Sequence, residues 1–227
     1  MKARFEIVFS MAAFGTIAVF VRNIGLPSGE VALYRAVIAA LALFLWQLCT
    51  RQTVRWQDVK KELPLLFVSG AAMSVNWILL FEAYKYTTVA MATLSYYFAP
   101  VIVTVASTVL FREGLTAKQI SCFVMSTLGL VMVIGVSGGG GSHDLLGILL
   151  GLGAAVFYAA VVLINKGIRR VSGLNRTFMQ FLAAILVMTP YISMTGGSHL
   201  AGLDMTGAVN LMVVGVFHTG ICYCMYF

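Results

Sequence analysis

Charged side chains are scarce in this sequence, because Asp, Glu, Lys and Arg together make up only 10% of its 227 residues. Cysteine and proline are also rare, with four of each, and no C-x-x-C pair occurs. The shortage of charge excludes a water-soluble domain, which could not bury so many consecutive apolar side chains. The cysteines lack the spacing of a zinc or redox site and are expected to be reduced structural thiols.

Apolar residues make up 60% of the chain, and its mean hydropathy is +0.95. Roughly 20 apolar residues are needed for a helix to cross a bilayer. Strands of a membrane barrel would be about half that length and would alternate polar with apolar residues. The sequence therefore predicts an all-α, polytopic membrane protein with eight spans, near residues 5–22, 31–49, 63–84, 88–111, 117–136, 144–164, 174–195 and 207–227.

The basic residues lie mainly on one side of these spans. If the N-terminus is cytoplasmic, the outer segments hold only Arg22, Arg35 and Lys85 of the 15 basic residues. An excess of Lys and Arg marks the cytoplasmic side. The net charge of +7 is thus explained by membrane topology, and we expect no nucleic-acid partner. The prediction is a multi-pass protein of the cell membrane, in contact with the lipid bilayer, with a cytoplasmic N-terminus.

The second half of the chain resembles the first at a nearly constant offset. Residues 12–14 (A-A-F) align with 154–156 (A-A-V) at an offset of 142, and 67–70 (F-V-S-G) align with 212–215 (M-V-V-G) at 145. A first unit of five spans, an odd number, makes the second unit inverted. Inverted repeats are typical of carriers that bind solute near the bilayer midplane.

The repeat predicts three segments. Residues 1–136 form a first unit of five helices, residues 137–143 a glycine-rich external linker, and residues 144–227 a second unit with three helices. The chain stops within apolar sequence, so we expect it to lack counterparts of the spans at 88–111 and 117–136. A complete fold of this kind would have ten helices.

Several motifs point to one family. They are residues 84–90 (Y-K-Y-T-T-V-A), Pro100-Val101 within a span, residues 111–119 (F-R-E-G-L-T-A-K-Q), and Gly129. This pattern resembles the signature of EamA-type transporters of the drug/metabolite transporter superfamily. The resemblance implies a ten-helix carrier with both termini cytoplasmic that moves small organic solutes, most often outward. The chain departs from the pattern by ending after eight helices.

Two charged residues inside spans are candidate solute contacts, since an embedded charge normally faces a cavity or a partner. Arg35 offers a bidentate fork to a carboxylate, or it extends to the headgroups or to backbone carbonyls. Glu82 belongs to an outer gate, or it simply pairs with Lys85 at i, i+3.

Other polar and aromatic residues lie deep in the spans. Asn76 either binds solute or joins two helices, and Trp77 lines a cavity or faces lipid. His218 binds solute, gates protonation or serves as a packing residue, and Tyr158 is a further cavity candidate.

The fourth span carries Pro100 in mid-helix, beside Tyr96 and Tyr97. Proline removes a backbone donor and kinks a helix. We therefore predict either a hinge at Pro100, flanked by two solute-contacting tyrosines, or a static bend.

The leading hypothesis is a secondary transporter of small organic solutes (amino acids, metabolites or drugs) that exports them by alternating access, without metal or cofactor. The alternative is a truncated, transport-incompetent fragment with a structural or interaction role. An intramembrane enzyme is disfavoured because the predicted spans hold no paired carboxylates, Ser/His pair or metal-ligand cluster, and His218 has no acidic residue at i±3 or i±4. His143 and His199 receive no role, and the oligomeric state is undetermined.

Overall fold

The computed structural model describes residues 12–13, 15–50, 56–111, 114–136 and 142–222. All regular secondary structure in these residues is helical, which confirms the all-α prediction. The helices are α1 (15–22), α2 (Ser28–Thr50), α3 (Trp56–Tyr86), α4 (Val89–Tyr96), α5 (Ala99–Phe111), α6 (Ala117–Val136), α7 (Ser142–Gly167), α8 (Gly173–Met194), a 3₁₀ turn (Leu200–Gly202), α9 (Met205–Met212) and a π-helix (Val213–Ile221) that continues α9.

Five of the described segments are long and apolar enough to cross a membrane, namely Ser28–Thr50, Trp56–Tyr86, Val89–Leu110, Asp144–Gly167 and Gly173–Met194. The predicted spans at 31–49, 63–84, 88–111, 144–164 and 174–195 fall within or close to them. Parts of the predicted spans 5–22 and 207–227, and most of the linker at 137–143, lie outside the described residues. We name the two membrane faces after buried carboxylates: the Glu30 face, which the sequence predicts to be external, and the Glu62 face.

Helix α3 lies at the centre of the described bundle, packing most extensively against α7 and α8 and also contacting α2 and α4. Small residues allow these helices to come close together, as in α2, where Ala32, Ala36 and Ala39 are fully buried. Lipid tails are as apolar as leucine side chains, so close backbone approach and shape, rather than hydrophobic exclusion, stabilise helix contacts in a bilayer.

Two glycines mark closest approaches that correspond between the repeats. A Cβ added at Gly70 in α3 would lie 2.5 Å from the carbonyl oxygen of Gln180 in α8, and one added at Gly215 in the π-helix would lie 2.6 Å from Ile38 in α2. Gly70 and Gly215 are the aligned glycines of the offset-145 match. If the predicted repeats are exchanged, α3 and α8 take the places of the π-helix and α2, so the two close approaches are equivalent under the predicted repeat.

The fourth span differs from the expected single kinked helix. It is interrupted at Tyr97 and Phe98, and Pro100 is the second residue of α5 rather than a residue in the middle of a continuous helix. Proline fits in the first turn of a helix because its missing N–H needs no partner there. The interruption lies just before Pro100, and α4 closes with the Tyr97 N–H donating to the Thr93 carbonyl.

We predict that Gly70→Ala destabilises the protein, because the new methyl group meets backbone rather than a movable side chain. Overpacking of this kind costs roughly 1–3 kcal/mol. Gly129→Ala in α6 is the matched control, since a Cβ there meets nothing within 4 Å. The measurement is the thermal midpoint in detergent, followed by tryptophan fluorescence. Equal midpoints for the two variants would contradict the close α3–α8 approach.

Candidate functional site

Arg35 is the centre of a buried cluster formed by α2, α3 and the π-helix. It lies seven residues after the start of α2, about 10 Å along the helix axis, and only 5% of its surface is exposed. Its Nε donates to Thr219 Oγ1 at 2.7 Å. Its guanidinium carbon lies 4.5 Å from the centre of the Trp77 ring and 5.5 Å from that of Phe81. Aromatic faces attract cations most strongly where water is excluded.

His218 lies beside this cluster and connects the π-helix to α1. Its Nε2 is 2.9 Å from Thr16 Oγ1, and its Nδ1 is 3.3 Å from the Val213 carbonyl oxygen. The rings of Phe20 and Phe217 enclose it at centroid distances of 5.0 and 5.3 Å. His218 is 1% exposed, and these contacts agree with the packing interpretation in this conformation.

The π-helix itself sets the position of Thr219. The Thr219 hydroxyl donates to the carbonyl of Val214, five residues earlier, and it accepts a hydrogen bond from the Arg35 Nε–H. π-Helical segments are rare in proteins, and those that do occur are frequently found at functional sites. In this segment Thr219 contacts Arg35 and His218 contacts Thr16, an arrangement that the sequence did not predict.

Asn76 points away from Arg35 and towards α7. Its Nδ2 donates to the carbonyl oxygen of Ala154 at 2.6 Å, and its side chain is buried. This contact joins α3 to α7. Its neighbour Trp77 is on the opposite side, where its ring packs on Phe181 at a centroid distance of 5.5 Å and under Arg35. In the structure, Trp77 therefore belongs to the Arg35 cluster and Asn76 belongs to the α3–α7 contact.

Three tyrosines form a second, separate group at the interrupted fourth span. The ring of Tyr96 lies 5.6 Å from that of Tyr158 in α7 and 6.4 Å from that of Tyr97. Tyr97 and Tyr158 are exposed at the surface of the described helices. The structure thus separates the nine sequence candidates into Arg35 and Trp77 of the Arg35 cluster, His218 beside that cluster, the tyrosine group with Pro100, the interhelical Asn76, and Glu82.

Glu82 lies towards the Glu30 face, at the wall of a cavity of about 320 Å³ between α2, α3 and α8. Its Oε2 accepts from Ser28 Oγ at 2.6 Å and lies 3.1 Å from Lys85 Nζ. The predicted i, i+3 pair is therefore present. Glu30 lines the same cavity, and the backbone N–H and Nδ1 of His199 contact its carboxylate at 2.9 and 2.5 Å.

Several buried polar contacts were not identified from the sequence. Gln180 Nε2 donates to Ser69 Oγ and to Asn165 Oδ1, both at 2.6 Å, joining α8 to α3 and α7. Glu62 accepts from the backbone N–H groups of Arg169 and Arg170 at 3.0 Å. No periodicity or motif marks these partners, because each pair is more than a dozen residues apart.

The Arg35 cluster presents groups that can bind an organic solute. Within the described ranges, no group of three or more His, Cys, Asp or Glu side chains is placed to hold a metal ion. A guanidinium against aromatic faces, together with hydroxyl groups, can hold an organic anion or the carboxylate of a zwitterion. The fold and site define a polytopic helical membrane protein with a polar cluster buried between its two halves.

Comparison with known proteins identifies the family. The model of the EamA-like transporter family matches residues 2–135, more than half of the chain. The chain belongs to the EamA-like transporter family and is a multi-pass membrane transporter. This result confirms the resemblance found in the sequence motifs.

Two relatives extend the match beyond the first unit. The uncharacterized transporter YxxF of Bacillus subtilis is 30% identical over 226 residues, which is 98% of this chain and 71% of the relative. An uncharacterized transporter of Archaeoglobus fulgidus is 28% identical over 220 residues, which is 96% of this chain and 77% of the relative. A solved crystal structure with 17% identity has a TM-score of 0.72 and covers 99% of this chain and 77% of that chain, which supports the fold.

We predict that Asn76→Ala weakens the α3–α7 contact, because it leaves the Ala154 carbonyl without the amide donor. Interhelical hydrogen bonds in membranes contribute about 0.6 to 1.7 kcal/mol, so the thermal midpoint should fall measurably. Asn210→Ala is the control, since Asn210 makes only a long 3.4 Å contact with the Asn23 carbonyl. An unchanged midpoint for Asn76→Ala would argue against a structural role for this amide.

Proposed function

We propose that this chain is a secondary transporter that exports small organic solutes across the cell membrane by alternating access. Amino acids and related carboxylates are the solute class that its buried cluster suits best. The observation that carries this proposal is Arg35, a buried guanidinium held against two aromatic rings and a hydroxyl.

The chemistry of the cluster supports a solute with a carboxylate and an apolar or aromatic side chain. A guanidinium carries five N–H donors in a planar fork that matches a carboxylate. Trp77 and Phe81 beside it offer flat apolar surfaces, and ligand sites are typically apolar with a few polar groups that fix orientation. Thr219 orients the guanidinium through Nε, so the fork is held by α2 and the π-helix together.

Alternating access is supported by the exchange of helix pairs between the repeats. The α3–α8 and π-helix–α2 approaches are equivalent by repeat, and two such contacts can loosen and tighten in turn as the site opens to either side. Arg35 contacts both α3 and the π-helix, so a solute bound to it would affect both pairs. The outward direction and the cytoplasmic N-terminus rest on the family resemblance and on the distribution of Lys and Arg.

We predict that Arg35→Ala strongly reduces carboxylate-dependent transport. The experiment reconstitutes the full chain in proteoliposomes and compares uptake of L-phenylalanine, within a panel of the 20 standard amino acids, with uptake of phenethylamine, which lacks the carboxylate. Loss of a charge-assisted bidentate contact should lower transport roughly 10- to 100-fold. Arg35→Lys should retain part of the activity, because it keeps the charge but not the fork.

Lys118→Ala is the matched control, because it removes an exposed cation at the start of α6, away from the cluster. Equal transport by wild type and Arg35→Ala would overturn the assignment of Arg35. Transport of no member of the panel by the correctly inserted wild-type protein would count against the amino-acid class.

We also predict which face Cys49 occupies. Cys49 is exposed, one residue before the end of α2, and the proposed topology places it at the cytoplasmic surface. A variant that keeps Cys49 alone should react with a membrane-impermeant maleimide in inside-out vesicles and not in intact cells. In a cysteine-free background, Thr206→Cys in the first turn of α9 should show the opposite pattern. Labelling of Cys49 in intact cells would show that the topology is the reverse of the one proposed.

A further inference from the structure

The cavity at the Glu30 face has no part in the proposed Arg35 site, yet it has the composition of a binding pocket. Its volume of about 320 Å³ is at the lower end of the range for small-molecule sites. The walls combine two carboxylates, Glu30 and Glu82, with apolar surface from Ile78, Leu79 and Ile192 and the ring of Tyr191. This combination suits a small molecule with one charged end and one apolar end.

The contacts of Glu82 indicate which charged group the cavity accepts. Its carboxylate is fixed from one side by the Ser28 hydroxyl at 2.6 Å, which orients it without neutralising it. Its other contact is the ammonium group of Lys85 at 3.1 Å. Lys85 thus already places a primary ammonium group against the Glu82 carboxylate. The ammonium group of a ligand could bind the carboxylate in the same way.

Lys85 is also easily displaced. Its side chain is 47% exposed, whereas that of Glu82 is 33% exposed, and an exposed i, i+3 ion pair on a flexible stem contributes little net stability. The lysine can therefore swing into solvent, while Glu82 remains held by Ser28. An ammonium group that arrives with its own apolar body would gain contacts with the cavity wall that Lys85 lacks.

The second carboxylate makes the cavity favourable for cations. Glu30 is buried, and its carboxylate is held by the backbone N–H and the ring of His199. The charged or ionisable residues lining the cavity are Glu30, Glu82, Lys85, Tyr191 and His199. With Lys85 displaced, two carboxylates face at most one protonated imidazole, so the cavity attracts a cation.

We propose that this cavity binds primary amines, small monocations with one ammonium group and a short apolar or aromatic body, and that Glu82 is the ammonium receptor and Lys85 its built-in competitor. The site lies at the mouth of the bundle on the Glu30 face, separate from Arg35, so it does not depend on transport activity.

The test measures binding of tyramine to the purified full chain in nanodiscs by isothermal titration calorimetry. The matched probe is 4-ethylphenol, which has the same ring and ethyl group but no amine. Tyramine should bind at least about tenfold more tightly, as expected for a charge-assisted contact. This comparison uses the wild-type protein and does not depend on the folding of any variant.

Two variants with opposite expected effects identify the residues. Glu82→Gln should weaken tyramine binding about tenfold or more, whereas Lys85→Gln should strengthen it by about threefold, because it removes the competing ammonium. A purely structural Glu82–Lys85 pair would not give a gain of affinity on loss of Lys85. Asp144→Asn, which removes a carboxylate in the first turn of α7 outside the cavity, should leave binding unchanged.

Equal binding of tyramine and 4-ethylphenol, no binding of either, or unchanged affinity in Lys85→Gln would each overturn the proposal. None of these results bears on phenylalanine transport through Arg35. Conversely, failure of the Arg35 transport experiment would leave the tyramine result intact, so the two proposals can fail separately.

Discussion

Close approach of helix backbones is the constraint on which this structure depends. In a bilayer, apolar side chains gain little by leaving lipid for protein, so helices associate through shape and van der Waals contact. Gly70 against α8 and Gly215 against α2 provide that contact at positions related by the repeat, and the buried alanines of α2 extend it. The same approach brings Arg35 within reach of Trp77 and the π-helix.

Buried polar side chains then fix the register of helices that small residues bring together. An amide or hydroxyl in an apolar interior must find a partner, because leaving it unpaired is costly. Asn76 meets Ala154, and Gln180 meets Ser69 and Asn165. The Asn76–Ala154 and Gln180–Ser69 contacts cross between the two predicted repeat units, whereas the Gln180–Asn165 contact lies within the second unit. Specific hydrogen bonds therefore set how the two predicted units fit together.

Much of the fold followed from the sequence, because bilayer thickness imposes a minimum length on every span and α2, α3, α7 and α8 meet it without interruption. At the fourth span the sequence predicted a kink at Pro100, whereas the helix is interrupted at Tyr97 and Phe98. A proline indicates that a helix is weakened nearby, but it does not identify the residue at which the helix ends. The site was only partly predictable. Arg35, Trp77 and His218 were identified by type and depth, whereas Thr219 is brought to Arg35 by π-helical turns and His199 to Glu30 by a loop, and neither has a local sequence signal.

Buried charged groups serve different purposes at the faces and at the centre of this fold. Glu62 holds the backbone of Arg169 and Arg170 at one face, and Glu30 holds the loop at His199 at the other, so these carboxylates fasten connecting segments. Arg35 contacts a hydroxyl and two aromatic rings that belong to different helices. Through these contacts the Arg35 side chain joins α2 to α3 and to the π-helix. The same helices form the two glycine-mediated close approaches, so under the proposed function a solute bound at Arg35 would act on those contacts.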